Sequence, residues 1–489
     1  MDFLDARKKR AHAIRLFIGY GLIGILLFIT TMILVFEARG YDVNRRTGEI
    51  IQNGLLFVDA HPETANIYLN GEAKGTTDSR MVLPAGEYTM ELRREGYRSW
   101  TKTFNLAGSS IERLVYPFLF PSQLNSSDLK TYDEAPAFST ESPDRRWLLV
   151  QQPGSLRAFD LVRLDNKQDR LTTFELPEGI YTAAEGKHSL ELVEWSTDNR
   201  HVVVKHIFAT GSEFIMIDRE KPQESVNVSR TFAGEAFNDV SMRGKKFDQL
   251  YLHNEPAGTL KAAELKSGLV TPLLTNVASY TTHDDDKILY AERGDGDTAT
   301  VRLRDGLDTY TIRQLPASPS YALDMARFDG SWYMVIAAQS GNRAYLYKDA
   351  VDEVKRDPGA LPAPMLALNV SAPEHVSFSA NARFIAVQGG SRFGIYDAEF
   401  NRVHRYDIQL PAAEQQRARW MDGHRLTLEN EGKLIVFDFD NANRQSLVSM
   451  QPGSRAFFNR DYTALYTVSP AAGNKDKSAI LRTELKLKQ

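Results

Sequence analysis

The chain of 489 residues contains no cysteine. That excludes a disulfide scaffold, thiolate zinc sites, iron–sulfur clusters and a cysteine nucleophile together. An excess of one charge is missing too: 59 Lys and Arg stand against 63 Asp and Glu, a formal net charge of −4. With no basic block beyond the first fifteen residues, nucleic acid is not an expected partner. Long apolar runs are scarce, and a mean hydropathy of −0.36 excludes a polytopic membrane protein. What remains, 42% hydrophobic and 25% charged residues, is the composition of an ordinary folded chain.

One apolar run does stand out, the 21 uncharged residues from Leu16 to Phe36. As a helix it spans roughly 30 Å, the thickness of the hydrocarbon core. Arg7, Lys8, Lys9, Arg10 and Arg15 precede it, whereas only Arg39, Arg45 and Arg46 follow within fifteen residues. The positive-inside rule then puts residues 1–15 in the cytoplasm and the remainder outside the cytoplasmic membrane. A cleaved signal peptide is the alternative, but its apolar region is shorter and Phe36-Glu37-Ala38-Arg39 is a poor cleavage site. The expectation is an uncleaved, single-pass anchor over 16–36. Gly19, Gly21 and Gly24 lack the four-residue spacing of a helix-dimer motif. Residues 1–36 hold five basic and two acidic side chains, leaving 54 basic and 61 acidic in the rest, a mildly acidic outer part.

Residues 37–53 read as a polar stalk, and from Gly54 the pattern becomes strand and turn. Tyr88, Met90 and Leu92 alternate with Thr89, Glu91 and Arg93, the period of a half-buried strand. Asn70-Gly71, Pro84-Ala85-Gly86 and Glu95-Gly96 mark tight turns. Five or six short strands over 54–118 make a small β-sandwich. This stretch resembles a PEGA domain: Val58-Asp59-Ala60-His61-Pro62, then Ala65 to Gly71, Gly75, Thr76-Thr77, Leu83 to Gly86, and Gly96-Tyr97 stand in the family's order. The resemblance implies an Ig-like or prealbumin-like envelope module without catalysis. In it Asn70, Gly71, Gly75, Pro84, Gly86, Gly96 and Tyr97 have structural roles.

A linker, 119–135, leads into a repeat that fills 136–489. Its register is strand, glycine turn, strand, with turns at Gly154, Gly211, Gly258, Gly296, Gly341, Gly390, Gly432 and Gly473. The mean spacing of about 46 is that of a β-propeller blade. A second repeat precedes most turns: Ser142 to Trp147, Trp195 to Arg200, Phe378 to Arg383, Trp420 to Arg425 and Phe458 to Tyr462. It resembles the Ser-Pro-Asp-Gly turn of Tol-type and WD-repeat-like propellers, although most copies lack the glycine and blades over 237–316 barely show it. Eight turns give eight blades, with seven as the alternative. The last repeat is one strand short, and residues 129–134 are placed to supply that strand and close the ring.

Catalytic signatures are missing. No Gly-x-Ser-x-Gly elbow occurs, and Gly389 to Gly394 has its last glycine one residue late. Asp295-Gly296-Asp297 opens like a calcium loop but has Gly306 where the final carboxylate belongs. Asp284-Asp285-Asp286 reads as a turn cap, Arg293-Gly294-Asp295 as a chance adhesion tripeptide, and the ten dispersed His offer no zinc pair. Trp195, Phe378 and Trp420 share one repeat position and read as blade core. The reading is therefore an all-β protein on a single transmembrane helix, a PEGA-like sandwich followed by a propeller. Its expected function is cell-surface binding or scaffolding toward an envelope protein or polysaccharide, with no catalytic residue, cofactor or metal. The alternative is an envelope hydrolase or lyase with an unrecognised site in the propeller pocket.

Overall fold

A computed structural model of the chain describes residues 6–38, 40–43, 50–164, 170–284, 286–294, 296–409, 417–471, 473–474 and 476–487. Two compact units divide it at 123/124.

The first unit opens with the helix Ala6–Ala38, whose residues from Lys9 are long and apolar enough to cross a membrane. Its two threonines do not leave hydroxyls unpaired in the apolar stretch: Thr30 and Thr31 donate to the carbonyls of Leu26 and Leu27, each at 2.8 Å. The first five residues of the expected tail lie outside the described residues.

Two four-stranded sheets follow. In one, Ile50–Val58 pairs with Tyr41–Val43, with Ser79–Pro84 and, in parallel, with Ile111–Leu114. In the other, Asn66–Leu69 lies between Glu72–Thr76 and Gly86–Arg93, and Trp100–Leu106 adds the edge. Leu56, Ile67, Met90, Leu92, Trp100 and Leu106 are fully buried, so the inward positions of both sheets make one core. The stretch expected as a stalk differs: residues 41–43 and 50–53 are strand, because their backbone extends the ladder that Gly54 was expected to start. Residues 44–49 lie outside the described residues.

The second unit contains eight four-stranded antiparallel sheets. Their first strands are Ser139–Glu141, Ser189–Trp195, Asp239–Met242, Val277–His283, Tyr321–Phe328, His375–Phe378, Arg419–Trp420 and Ala456–Phe458. Each sheet packs on the next through apolar side chains. Trp195 and Val202 of blade 2 join Leu149 and Phe159 of blade 1, and Leu250 of blade 3 joins Phe214 of blade 2. Phe384 of blade 6 stacks on Phe439 of blade 7 at 4.1 Å. The ring closes where Tyr466 and Ile480 of blade 8 meet Leu148, Val150 and Val162 of blade 1.

Blade 8 takes its outermost strand from the start of the unit. Ser126–Tyr132 pairs antiparallel with Ser478–Glu484, Tyr132 opposite Ser478 and Ser126 opposite Thr483. The closing strand thus begins three residues earlier than expected, and Asp133 and Glu134 lie beyond its end. Closure leaves the final sheet with no strand missing.

Between first and second strands, Arg145, Asn199, Lys245, Asp284, Asp329, Ala382 and Tyr462 all take positive φ, from 46° to 58°. Seven blades therefore use one left-handed turn position without glycine. Such a residue costs on the order of 1 kcal/mol. Side chains offset that cost: Asp144 accepts from Arg146 N, and Asp198 from Arg200 N and His201 N.

Candidate functional site: the axial channel

The residues singled out in the first unit sit at turns or at strand ends, except Gly75, which lies inside a strand. Asn70 and Gly71, with φ of 50° and 85°, join two strands of one hairpin, and Asn70 Oδ1 accepts from Thr89 N at 2.8 Å. Gly75 lies in the strand where the pairing register shifts. Pro84 ends one strand and Gly86 opens the next, while Gly96 and Tyr97 precede Trp100–Leu106. In the second unit, Gly154, Gly258, Gly296, Gly341, Gly390, Gly432 and Gly473 fall between the second and third strands of their blades, and Gly211 opens the third strand of blade 2. At Gly258, φ is +67° and a Cβ would come within 2.9 Å of Asn276 Cα, so both backbone and space require glycine. Asp285 and Asp295 lie outside the described residues. Asp284 occupies a left-handed turn and Asp286 pairs with Arg243. None of these residues converges on a common site.

The first strands do converge. They line two cavities, of about 430 Å³ and about 1390 Å³, which share Glu194, Lys245 and Arg417 and together touch every blade. This is the axial channel of the ring. Trp195 and Trp420, expected as core, also face it. Each indole is anchored to the preceding blade, Trp195 Nε1 donating to Thr140 Oγ1 at 2.9 Å and Trp420 Nε1 to Ser377 Oγ at 3.1 Å.

Three carboxylates of the channel bridge neighbouring blades. Glu141 of blade 1 accepts from Phe458 N of blade 8, Glu194 of blade 2 from Met242 N of blade 3, and Asp324 of blade 5 from Phe378 N of blade 6. Burial pushes Glu141 up to about 7, against the opposing pull of Arg145 and the Phe458 N–H. Asp324 is pushed up to about 6 by burial, with Met325 N–H and the Arg417 charge opposing. Glu194 rises for the same first reason. Oε2 of Glu141 is buried with no hydrogen-bond partner.

The basic groups gather on the wall made by blades 7 and 8. Burial, then the charges of Arg455 and Arg417, bring Arg419 down to about 10. Arg455 is lowered by burial and by Arg417. Across the pocket Arg145 donates Nη2 to Met421 O at 2.6 Å and stacks over Tyr462, while its buried Nη1 has no partner. Among the described residues no three His, Asp or Glu side chains converge as a metal site.

None of these channel residues was nominated from the sequence. The available signal was Arg417-x-Arg419, two arginines spaced by one, of which Arg419 opens the short strand Arg419–Trp420. Arg455 carries no such signal.

The sequence pattern of the PEGA domain family matches residues 53–113. No curated protein sequence matches the chain. Among solved structures, the chain is similar to Hsv2 of Kluyvelomyces marxianus, at 9% identity and a TM-score of 0.41, covering 65% of this chain and 99% of that one. It is also similar to an oligogalacturonate lyase of Vibrio parahaemolyticus, at 11% identity and a TM-score of 0.39, covering 75% and 99%. A third is the Cps50 (Swd1) β-propeller domain of Myceliophteria thermophila, at 13% identity and a TM-score of 0.39, covering 67% and 100%.

Proposed function

We propose that the chain is a membrane-anchored binding or scaffold protein of a prokaryotic cell envelope. One N-terminal span holds it in the cytoplasmic membrane, with residues after Ala38 outside the cytoplasm. The observation that carries this reading is the closed ring. Eight blades, sealed by Ser126–Tyr132 on Ser478–Glu484, present one charged channel that every blade lines. A rigid ring with a polar axial opening suits recognition of an envelope protein or polysaccharide. The PEGA-like sandwich adds a second module to this reading.

Catalysis is no part of this reading. The acid whose proton affinity best suits proton transfer, Glu141, bridges blade 1 to blade 8 through Phe458 N–H and leaves Oε2 unpartnered, which makes E141Q the variant that tests the enzyme alternative.

The test uses a soluble fragment beginning at Gly40, which keeps the sandwich strands at 41–43 and 50–58. It is expected to retain a protein or polysaccharide from envelope extracts while leaving peptides, esters and glycans uncleaved. Turnover of any such substrate that E141Q abolishes would replace this reading with the enzyme.

A further inference from the structure

Two buried arginines elsewhere in the propeller are paired with carboxylates: Arg383 holds Asp397 and Glu399, and Arg425 pairs with Asp422 and Asp438. The wall of the axial channel is built the opposite way. The charges acting on Arg419 are those of Arg455 and Arg417, and the charge acting on Arg455 is that of Arg417. Among the described residues none of the three has a carboxylate within ion-pair distance. Of the channel carboxylates only Asp324 feels one of them, Arg417, and Glu141, Glu194 and Asp324 each already accept backbone N–H groups that join neighbouring blades.

Three like charges lining one cavity, with Arg417 and Arg419 exposed to it and Arg455 half-buried, repel one another. Packing alone gives no reason for the arrangement, since one Arg-to-Gln change would relieve it. An anionic occupant does give a reason. Guanidinium forks suit carboxylate, sulfate and phosphate, and dehydration strengthens each charge-assisted hydrogen bond. A second observation points the same way. The unpartnered Nη1 of Arg145 is buried in a residue lining this same pocket, which leaves a further donor for a ligand oxygen. The volume of about 430 Å³ is that of a small-molecule site.

We infer that Arg417, Arg419 and Arg455 form the seat of a small ligand carrying at least two oxyanion groups, with Arg145 as an additional donor. A single carboxylate leaves most of the positive charge uncompensated; two or three oxyanions match it. The inference deepens the binding reading and rests on it only for the channel being the ligand-accepting surface.

The full chain, held in an uncharged detergent, is titrated calorimetrically with citrate, pyrophosphate and acetate at matched ionic strength, and its unfolding temperature is followed. Citrate or pyrophosphate is expected to bind at one site and to raise that temperature, whereas acetate does neither. A response to citrate alone assigns the ligand to polycarboxylates and one to pyrophosphate alone to phosphates; each upholds the seat. R419Q and R455Q are each expected to weaken binding about tenfold or more. Without anion, R419Q is expected to unfold no earlier than the unaltered chain, because a repulsion has been removed. Equal responses to acetate and the polyanions, unchanged affinity in R419Q, or a lower ligand-free unfolding temperature in R419Q would each overturn the inference. Failure of the soluble fragment to retain an envelope component tests the broader reading and leaves this titration untouched.

Discussion

Tyr132, near the end of the closing strand, donates its hydroxyl to Asp160 Oδ2 of blade 1 at 2.7 Å. This hydrogen bond ties the outermost strand of the last blade to the third strand of the first. Asp160 is fully buried and also accepts from Lys130, Gln152 and Thr173 at 3.1, 2.8 and 2.6 Å. Burial pushes its carboxyl up, but the hydrogen bonds from Thr173, Tyr132, Gln152 and Lys130 outweigh burial and hold it below the usual range. The ring is thus sealed by a polar knot as well as by the Tyr466–Leu148 apolar seam.

The knot has separable parts. Y132F removes one bond to a charged acceptor and is expected to lower stability by about 1.5–3 kcal/mol. D160A strips four donors at once and is expected to lower it by about 3 kcal/mol or more. Denaturant midpoints of the two variants check the order, and a D160A no less stable than Y132F would contradict the knot.

Arg383 and Asp397 make two parallel hydrogen bonds, 2.9 and 2.7 Å, with both side chains nearly out of solvent. R383A leaves Asp397 buried and unpaired, an expected loss of about 3–5 kcal/mol. R383K keeps the charge but loses the fork, so it should fall between R383A and the unaltered chain. Urea unfolding of the three proteins measures this ranking.

Two sets of carboxyls act oppositely with pH. Glu141 and Asp324 are raised on folding, so the stability they contribute is complete below about pH 4 and is lost as pH climbs through about 6 to 7. Asp160 and Asp218 are lowered, Asp218 to about 2, where the Arg200 fork and backbone N–H groups outweigh burial. Their contribution is complete above about pH 4 and disappears as pH falls through their folded values. Stability should therefore peak on the acid side of neutrality. Unfolding midpoints at pH 5, 7 and 8.5 should decline with pH in the unaltered chain and flatten in E141Q; an unchanged slope in E141Q would remove Glu141 from this account.

Charge around the helix carries a topological expectation. Five basic residues precede the apolar run and three follow closely, so the propeller is expected outside the cytoplasmic membrane. Protease added to cells, after permeabilising any outer membrane, should digest residues beyond Ala38 and spare the helix. Full protection of the chain, or a mature N-terminus near Gly40, would contradict this.

Features written in short stretches of chain are legible in the sequence. The Leu16–Phe36 run, the Asn70-Gly71 hairpin and the eight inter-strand glycines each depend on neighbours within a few residues. The turn motif between first and second strands was faint for a physical reason. Its left-handed conformation persists while the residue varies from Arg145 to Ala382 to Tyr462, so the backbone repeats more faithfully than the sequence. The strands at 41–43 and 50–53 were read as stalk because their polarity suits a sheet edge as well as a loop.

Local chain chemistry alone determined the apolar helix, the strand period, the turn positions and the blade repeat, because hydrogen-bond geometry and side-chain alternation act over a few residues. Closure was different. Ser126 and Thr483 share a hydroxyl hydrogen bond of 2.8 Å across 357 residues, and only the accumulated rotation of eight sheets brings them together. Packing of blade 8 on blade 7 carries Arg455 to Arg419, and ring closure sets Glu141 against Phe458 N. Which charges face the axis, and which of them lack a partner, was decided by that ring, since a central channel exists only once every blade is in place.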